Sequence, residues 1–63
     1  MRIRFLINAV PASGGRPYPA SLLSVIFRHA TPRAEAVAEA RAAFKRYFDR
    51  DAHDIPGVYI DAN

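Results

Sequence analysis

A chain of 63 residues with a net charge of +3 and no cysteine has few options for stabilising itself. Its length fits one small domain, residues 1–63, and domains of this size bury only about 60% of the surface that their unfolded chain exposes. The absence of cysteine excludes disulfides and thiolate zinc sites. No segment is typical of a membrane span or a secretory signal, so we expect a cytoplasmic protein without membrane contact.

The charge is unevenly distributed along the chain. Five arginines and no carboxylate precede Glu35, which gives the first half a charge of +5. From Glu35 onward there are four cations and six carboxylates, which gives the second half −2 and accounts for the total of +3. Such asymmetry can steer association with an anionic partner.

The first half is typical of two strands joined by a long loop. Residues Arg2 to Val10 alternate with the period of two of a half-buried strand. One face of this strand carries Ile3, Phe5, Ile7 and Ala9. The other face carries Arg2, Arg4, Leu6 and Asn8. Three prolines and two adjacent glycines predict an irregular loop from Pro11 to Ala20. The segment from Ser21 to Ala30 then favours a second strand. One face of it carries Leu23, Val25, Phe27 and His29, and the other carries Leu22, Ser24, Ile26 and Arg28.

The second half begins with a helix signal. Thr31 is a favoured N-cap residue and Pro32 a favoured first helical residue. The alanine-rich segment that follows predicts an amphipathic helix from Pro32 to Phe48. Its apolar face carries Ala36, Val37, Ala40, Ala43, Phe44, Tyr47 and Phe48. After a polar segment, Ile55-Pro56-Gly57 is typical of a type II turn, and Val58 to Ile60 of a short third strand.

These elements predict an α+β fold of the order β-β-α-β. A right-handed crossover would place strand three beside strand one, giving an antiparallel three-stranded sheet of order 2-1-3 with the helix packed on one face. The predicted core is Phe5, Ile7, Val25, Phe27, Val37, Phe44, Phe48 and Ile60. The opposite face of the sheet would stay open, and we expect function to lie there.

The candidate binding residues are on this face and on the loop beside it: Arg2, Arg4, Leu6, Arg16, Tyr18, Ile26 and Arg28. Arginine binds phosphates through paired hydrogen bonds, and tyrosine can stack on a base, which predicts a nucleic-acid site. Alternatively, the arginines are ordinary solvated residues. An uncovered pair of Leu6 and Ile26 would instead favour a homodimer through the open face, or docking on a larger protein.

Signals for chemistry are sparse. Asp51, His53 and Asp54 have a spacing that could hold a divalent metal, but no second local histidine supports the site, and His29 falls on the buried face. Gly14-Gly15 matches neither phosphate-loop nor dinucleotide patterns. A chain this short also has difficulty forming a water-excluding pocket. We therefore expect no metal, no cofactor and no enzymatic activity.

The order of elements resembles compact β-β-α-β proteins of bacteriophages and mobile elements. In that group a hairpin precedes an alanine- and glutamate-rich helix, here the segment from Thr31 to Arg41, and a short strand follows. Several such proteins act as anti-CRISPR inhibitors, and some look like truncated double-stranded-RNA-binding folds. The resemblance implies an inhibitor that binds a host protein or nucleoprotein complex in the host-cell cytoplasm. The basic charge departs from the acidic DNA mimics among these inhibitors.

Two functional hypotheses follow. The first is a non-enzymatic binding protein that docks on a larger protein with an acidic surface, as an inhibitor of a defence complex would. The second is a nucleic-acid-binding module that uses the arginine-rich hairpin.

Overall fold

A computed structural model describes all 63 residues and shows the β-β-α-β order predicted from the sequence. Its elements are β1 (Arg2–Ala9), β2 (Tyr18–Ile26), α1 (Arg33–Phe48), a short 3₁₀ helix (Ala52–Asp54) and β3 (Val58–Ala62). Both β2 and β3 pair antiparallel with β1, which gives a three-stranded sheet of order β2-β1-β3. Neither helix has the length and apolar character needed to cross a bilayer.

The hairpin differs from its predicted bounds at both ends of β2. The strand begins at Tyr18, inside the predicted loop, because Tyr18 already pairs with Ala9. It ends at Ile26, short of the predicted Ala30. The turn at the other end uses Gly14 and Gly15, whose φ angles of 84° and 116° favour glycine.

A β-bulge at Leu22 changes which way the first half of β2 faces. Phe5 pairs with Leu23 but the next residue, Leu6, pairs with Ser21, so Leu22 has no direct partner. Simple alternation predicts that Leu22 lies on the sheet face opposite the helix. Instead it packs against the core with Leu23, as the extra residue of a bulge can.

The helix ends as predicted but begins one residue later. Thr31 is not its N-cap: Pro32 occupies that position, without a side-chain cap, and the Thr31 hydroxyl donates to the carbonyl of His29. At the other end Asp49 adopts a left-handed conformation with φ 54°. The predicted turn before β3 is confirmed, since Gly57 has φ 84° and the Val58 N–H bonds to the carbonyl of Ile55.

The core is smaller, and contains more alanine, than the sequence predicted. Six buried residues form it: Ile3, Phe5, Ala36, Ala40, Phe44 and Ala52. Phe5 and Phe44 are confirmed, with ring centroids 4.7 Å apart. Ile7, Val25, Phe27 and Val37 are only half-buried. Phe48 and Ile60 were wrongly placed in the core, being 43% and 39% exposed, because the helix covers only the middle of the sheet.

Candidate partner-binding surfaces

One face of the sheet, opposite α1, is covered by no other element. Residues directly opposed across a ladder point to the same side, so the register identifies this face. We call it the open face; it carries Arg2, Arg4, Leu6 and Asn8 from β1, Pro19, Ser21, Ser24 and Ile26 from β2, and Tyr59 and Asp61 from β3. Four of the seven candidate residues, Arg2, Arg4, Leu6 and Ile26, lie on it as predicted.

The predicted exposed pair of Leu6 and Ile26 is only half correct. Ile26 is 67% exposed, whereas Leu6 is 8% exposed and therefore buried. Leu6 lies on the central strand with Tyr59 directly across on β3, and Arg4 is two residues before it on the same face. Leu6 is thus buried although it lies on the uncovered face, beside two long side chains of the kind that can cover apolar surface with their stems. Ile26 and Tyr59, which is 40% exposed, are thus the accessible apolar groups of this face.

Arg4 is engaged within the chain. Its Nε atom donates to Oδ2 of Asp61 at 3.2 Å and its Nη2 atom donates to the same oxygen. Both side chains are about one-third exposed. This pair has no signal in the sequence, because it depends on the register that brings Arg4 opposite Asp61, 57 residues along the chain. Arg2, Arg16 and Arg28 are exposed and form no ion pair.

Arg16 and Tyr18 do not belong to the same site as Arg2 and Arg28. Tyr18 pairs with Ala9 at one end of the hairpin, and Arg2 pairs with Ile26 at the other. The seven intervening steps along β1 correspond to about 24 Å at about 3.4 Å per residue. Moreover, Tyr18 follows Ala9 onto the side of α1, away from the open face, although it is 50% exposed.

A shallow groove of about 200 Å³ lies beside β3, where the 3₁₀ helix packs. Its lining includes Arg41, His53 and Tyr59. Asp51 organises this end of the groove, because its carboxylate accepts the backbone N–H of His53 at 2.9 Å and the Arg41 guanidinium at 3.1 Å. These two donors, the backbone N–H first, lower the pKa of Asp51 from its ordinary value of 3.8.

A second groove, of about 350 Å³, separates β2 from the helix, and we call it the β2–α1 groove. Val25 and Phe27 line its sheet side, and Glu39, Ala42, Ala43 and Arg46 line its helix side. No signal in the sequence indicates this groove, because it depends on how far α1 extends across the sheet.

Asp51, His53 and Asp54, whose spacing was considered for a metal, do not form a cluster. Nowhere do three or more histidine or carboxylate side chains lie close enough to hold a metal ion, and Asp51 is engaged with Arg41 and the backbone. Comparison with protein-family models, with curated proteins and with solved structures finds no match for this chain. Functional inference therefore depends on the surfaces themselves.

Proposed function

We propose that this chain is a non-enzymatic binding protein that uses the open face of its sheet to dock on a larger protein. The observation that carries the proposal is the exposure of Ile26 and Tyr59 on a face that no element covers. Arg2, which is exposed and unpaired, lies directly opposite Ile26. Apolar and aromatic side chains beside arginine are the residue types that supply most binding energy in protein interfaces.

The charge of this surface indicates the kind of partner. Arg2 and Arg28 lie near the chain's amino group, whose nitrogen donates to the carbonyl of Phe27 at 3.2 Å. An acidic surface on the partner would complement these charges and speed encounter. The β-β-α-β resemblance supports a more specific form of the proposal, in which the chain is a phage or mobile-element inhibitor of a host defence complex.

The two grooves carry few polar side chains. Those of the β3 groove are Arg41, His53 and Tyr59, and those of the β2–α1 groove are Glu39 and Arg46. Neither groove is lined by serine, threonine or cysteine, so neither offers the pair of such a nucleophile and its base. We base the non-enzymatic role on the exposed binding surface rather than on these grooves.

A capture experiment with matched variants tests the docking surface. Ile26→Asp places a charge on the most exposed large apolar side chain of the open face without disturbing the core, since Ile26 is 67% exposed. Tyr47→Asp is the control, because Tyr47 is 76% exposed on the helix, on the other side of the molecule. We expect bacterial lysate to yield a protein that the parent and Tyr47→Asp retain and Ile26→Asp loses. Capture of no protein, or of the same protein by all three chains, would contradict the proposal.

Direct nucleic-acid binding is the second candidate, favoured by the exposure of Arg2, Arg16 and Arg28. Arg4 is engaged by Asp61, which leaves three hairpin arginines for phosphates. Log affinity for duplex DNA should then fall with log salt with a slope of about −2.7, at about −0.9 per phosphate. Arg2→Gln with Arg28→Gln should reduce that slope by about two, and Arg50→Gln should not change it. Absence of binding to duplex DNA, single-stranded DNA and RNA at low salt would eliminate this candidate.

A further inference from the structure

The outer edge of β2 lacks the features that normally prevent strand association. β2 is a terminal strand of the sheet, and residues 21–27 contain no charged residue, proline or glycine. Soluble proteins usually protect such edges with charges, prolines, bulges or a covering element. Here Pro19 and the bulge at Leu22 interrupt only the first half of β2. The second half is therefore suited to pairing with another strand.

The backbone groups available for such pairing can be identified from the hairpin. Phe27 exchanges two hydrogen bonds with Met1, so its N–H and C=O point toward β1. These directions alternate along an antiparallel strand, so Val25 also points toward β1 while Ser24 and Ile26 point outward. An added strand would bond to Ser24 and Ile26.

The β2–α1 groove beside this edge contains apolar side chains that the fold leaves half-buried. Val25 and Phe27 lie on its sheet side. Because α1 lies over the middle strand, the helices of two copies joined along β2 would be about 14 Å apart, three strand spacings of about 4.8 Å, with Ala42 and Ala43 facing the space between them. A partner that paired with β2 could thus also cover this groove with a helix.

The charges along the groove identify the partner as a second copy of the chain. Glu39 and Arg46 line it, and neither forms an ion pair within the chain. They are seven residues apart, about 10.5 Å along the helix axis, which is too far for them to pair with each other. In an antiparallel helix pair with a twofold axis between Ala42 and Ala43, each Glu39 lies opposite the second copy's Arg46. Isologous dimers require this kind of self-complementarity.

We propose that two copies of this chain form a twofold dimer through the β2 edge and the β2–α1 groove. Ser24 of each copy pairs with Ile26 of the other, so that Val25 faces its counterpart and the sheet extends to six strands. The two α1 helices lie antiparallel above this seam. This interface is an alternative to the predicted dimer through the open face, and it leaves the side chains of that face uncovered.

Charge exchange tests the helix arrangement without touching the core, because Glu39 and Arg46 are both exposed. Glu39→Arg alone and Arg46→Glu alone each place like charges together twice per dimer. Sedimentation equilibrium should show a dimer for the parent and a dissociation constant raised about 10-fold for either variant, since each exposed pair contributes modestly. The double variant should restore the parental constant, and an equimolar mixture of the two single variants should form a heterodimer.

Strand pairing is tested separately with Ser24→Pro. Proline at this position removes an N–H that points to the free edge and so leaves the β1 ladder intact. We expect a monomer whose circular dichroism matches that of the parent. A parent that stays monomeric up to about 1 mM, or a dimer unaffected by Ser24→Pro, would overturn the proposal. Dissociation by Ser24→Pro without any response to the charge variants would overturn the helix arrangement.

Discussion

Replacement of Phe44 by alanine should remove most of the stability of this fold. Phe44 is fully buried, and its ring lies between those of Phe5 and Phe48 at centroid distances of 4.7 and 4.5 Å. Truncating a buried phenylalanine costs about 3–5 kcal/mol. At about 0.05–0.15 kcal/mol per residue, the whole chain is stabilised by about 3–9 kcal/mol. The two ranges overlap, so the variant should be largely unfolded if the parent lies in the lower half of its range.

Urea denaturation followed by far-ultraviolet circular dichroism measures this effect. With a slope of about 1 kcal/mol per molar urea, the midpoint should fall by about 3–5 M, and the folded baseline should shorten or disappear. Phe44→Leu, which keeps much of the volume, should cost about 1.5 kcal/mol or less. Tyr47→Ala, at a side chain that is 76% exposed, should change stability by no more than about 0.5 kcal/mol. A Phe44→Ala midpoint within about 1 M of the parent would refute the assignment of Phe44 to the centre of the core.

Two further predictions concern carboxylates that end or begin helices. Asp49→Gly should stabilise the fold by about 0.5–1 kcal/mol, because glycine adopts the left-handed conformation freely and a negative charge is removed from the helix C-terminus. Asp49→Asn removes only the charge and so separates the two effects. Equal urea midpoints for the parent and both variants would contradict both effects. For Asp51, the lowered pKa means that its stabilising contribution is complete above about pH 4 and is lost as the pH falls through the folded-state value. Asp51→Asn retains a side-chain acceptor for the His53 N–H but loses the charge. Its urea midpoint should therefore lie below that of the parent at about pH 7 and approach it near pH 2, and a constant difference between the two would argue against this linkage.

The order of elements could be predicted because each one has a local signal. Alternation identifies β1, the alanine-rich segment identifies α1, and Pro56-Gly57 marks the turn before β3. The order 2-1-3 then follows from the connections between strands. The end of α1 was also predictable from the loss of its apolar periodicity after Phe48.

The features that could not be predicted depend on packing between distant segments. The bulge at Leu22 depends on the register that the turn imposes on β1 and β2. It has no signal in the alternation of β2. Ala36, Ala40 and Ala52 are buried because small side chains let elements approach closely, whereas hydrophobicity alone favoured the larger Phe48. Ala52 in particular lies on a 3₁₀ helix that a polar segment did not suggest.

The candidate site was predicted only in part, because it too depends on contacts between segments that are distant in the chain. The alternation of β1 correctly placed Arg2, Arg4 and Leu6 on one face. Alternation does not show which residues of the neighbouring strands lie on the same face. Asp61 and Tyr59 lie on β3, near the far end of the chain. Asp61 pairs with Arg4, and Tyr59 lies opposite Leu6. The β2–α1 groove required knowing how far the helix extends over the sheet.

The bulge at Leu22 also divides β2 into two parts whose side-chain orientation is fixed in different ways. Toward Ile26 the core fixes it, because Leu23 and Val25 lie opposite Phe5 and Ile3. Toward the loop the pairing with β1 fixes it, and the extra residue at Leu22 decides that Tyr18, opposite Ala9, faces the helix side. A one-residue insertion or deletion between Tyr18 and Leu22 would exchange the sides on which Tyr18 and its β2 neighbours lie, while Asn8 and Ala9 of β1 keep theirs. The surface of the hairpin tip can therefore change without any change in the core.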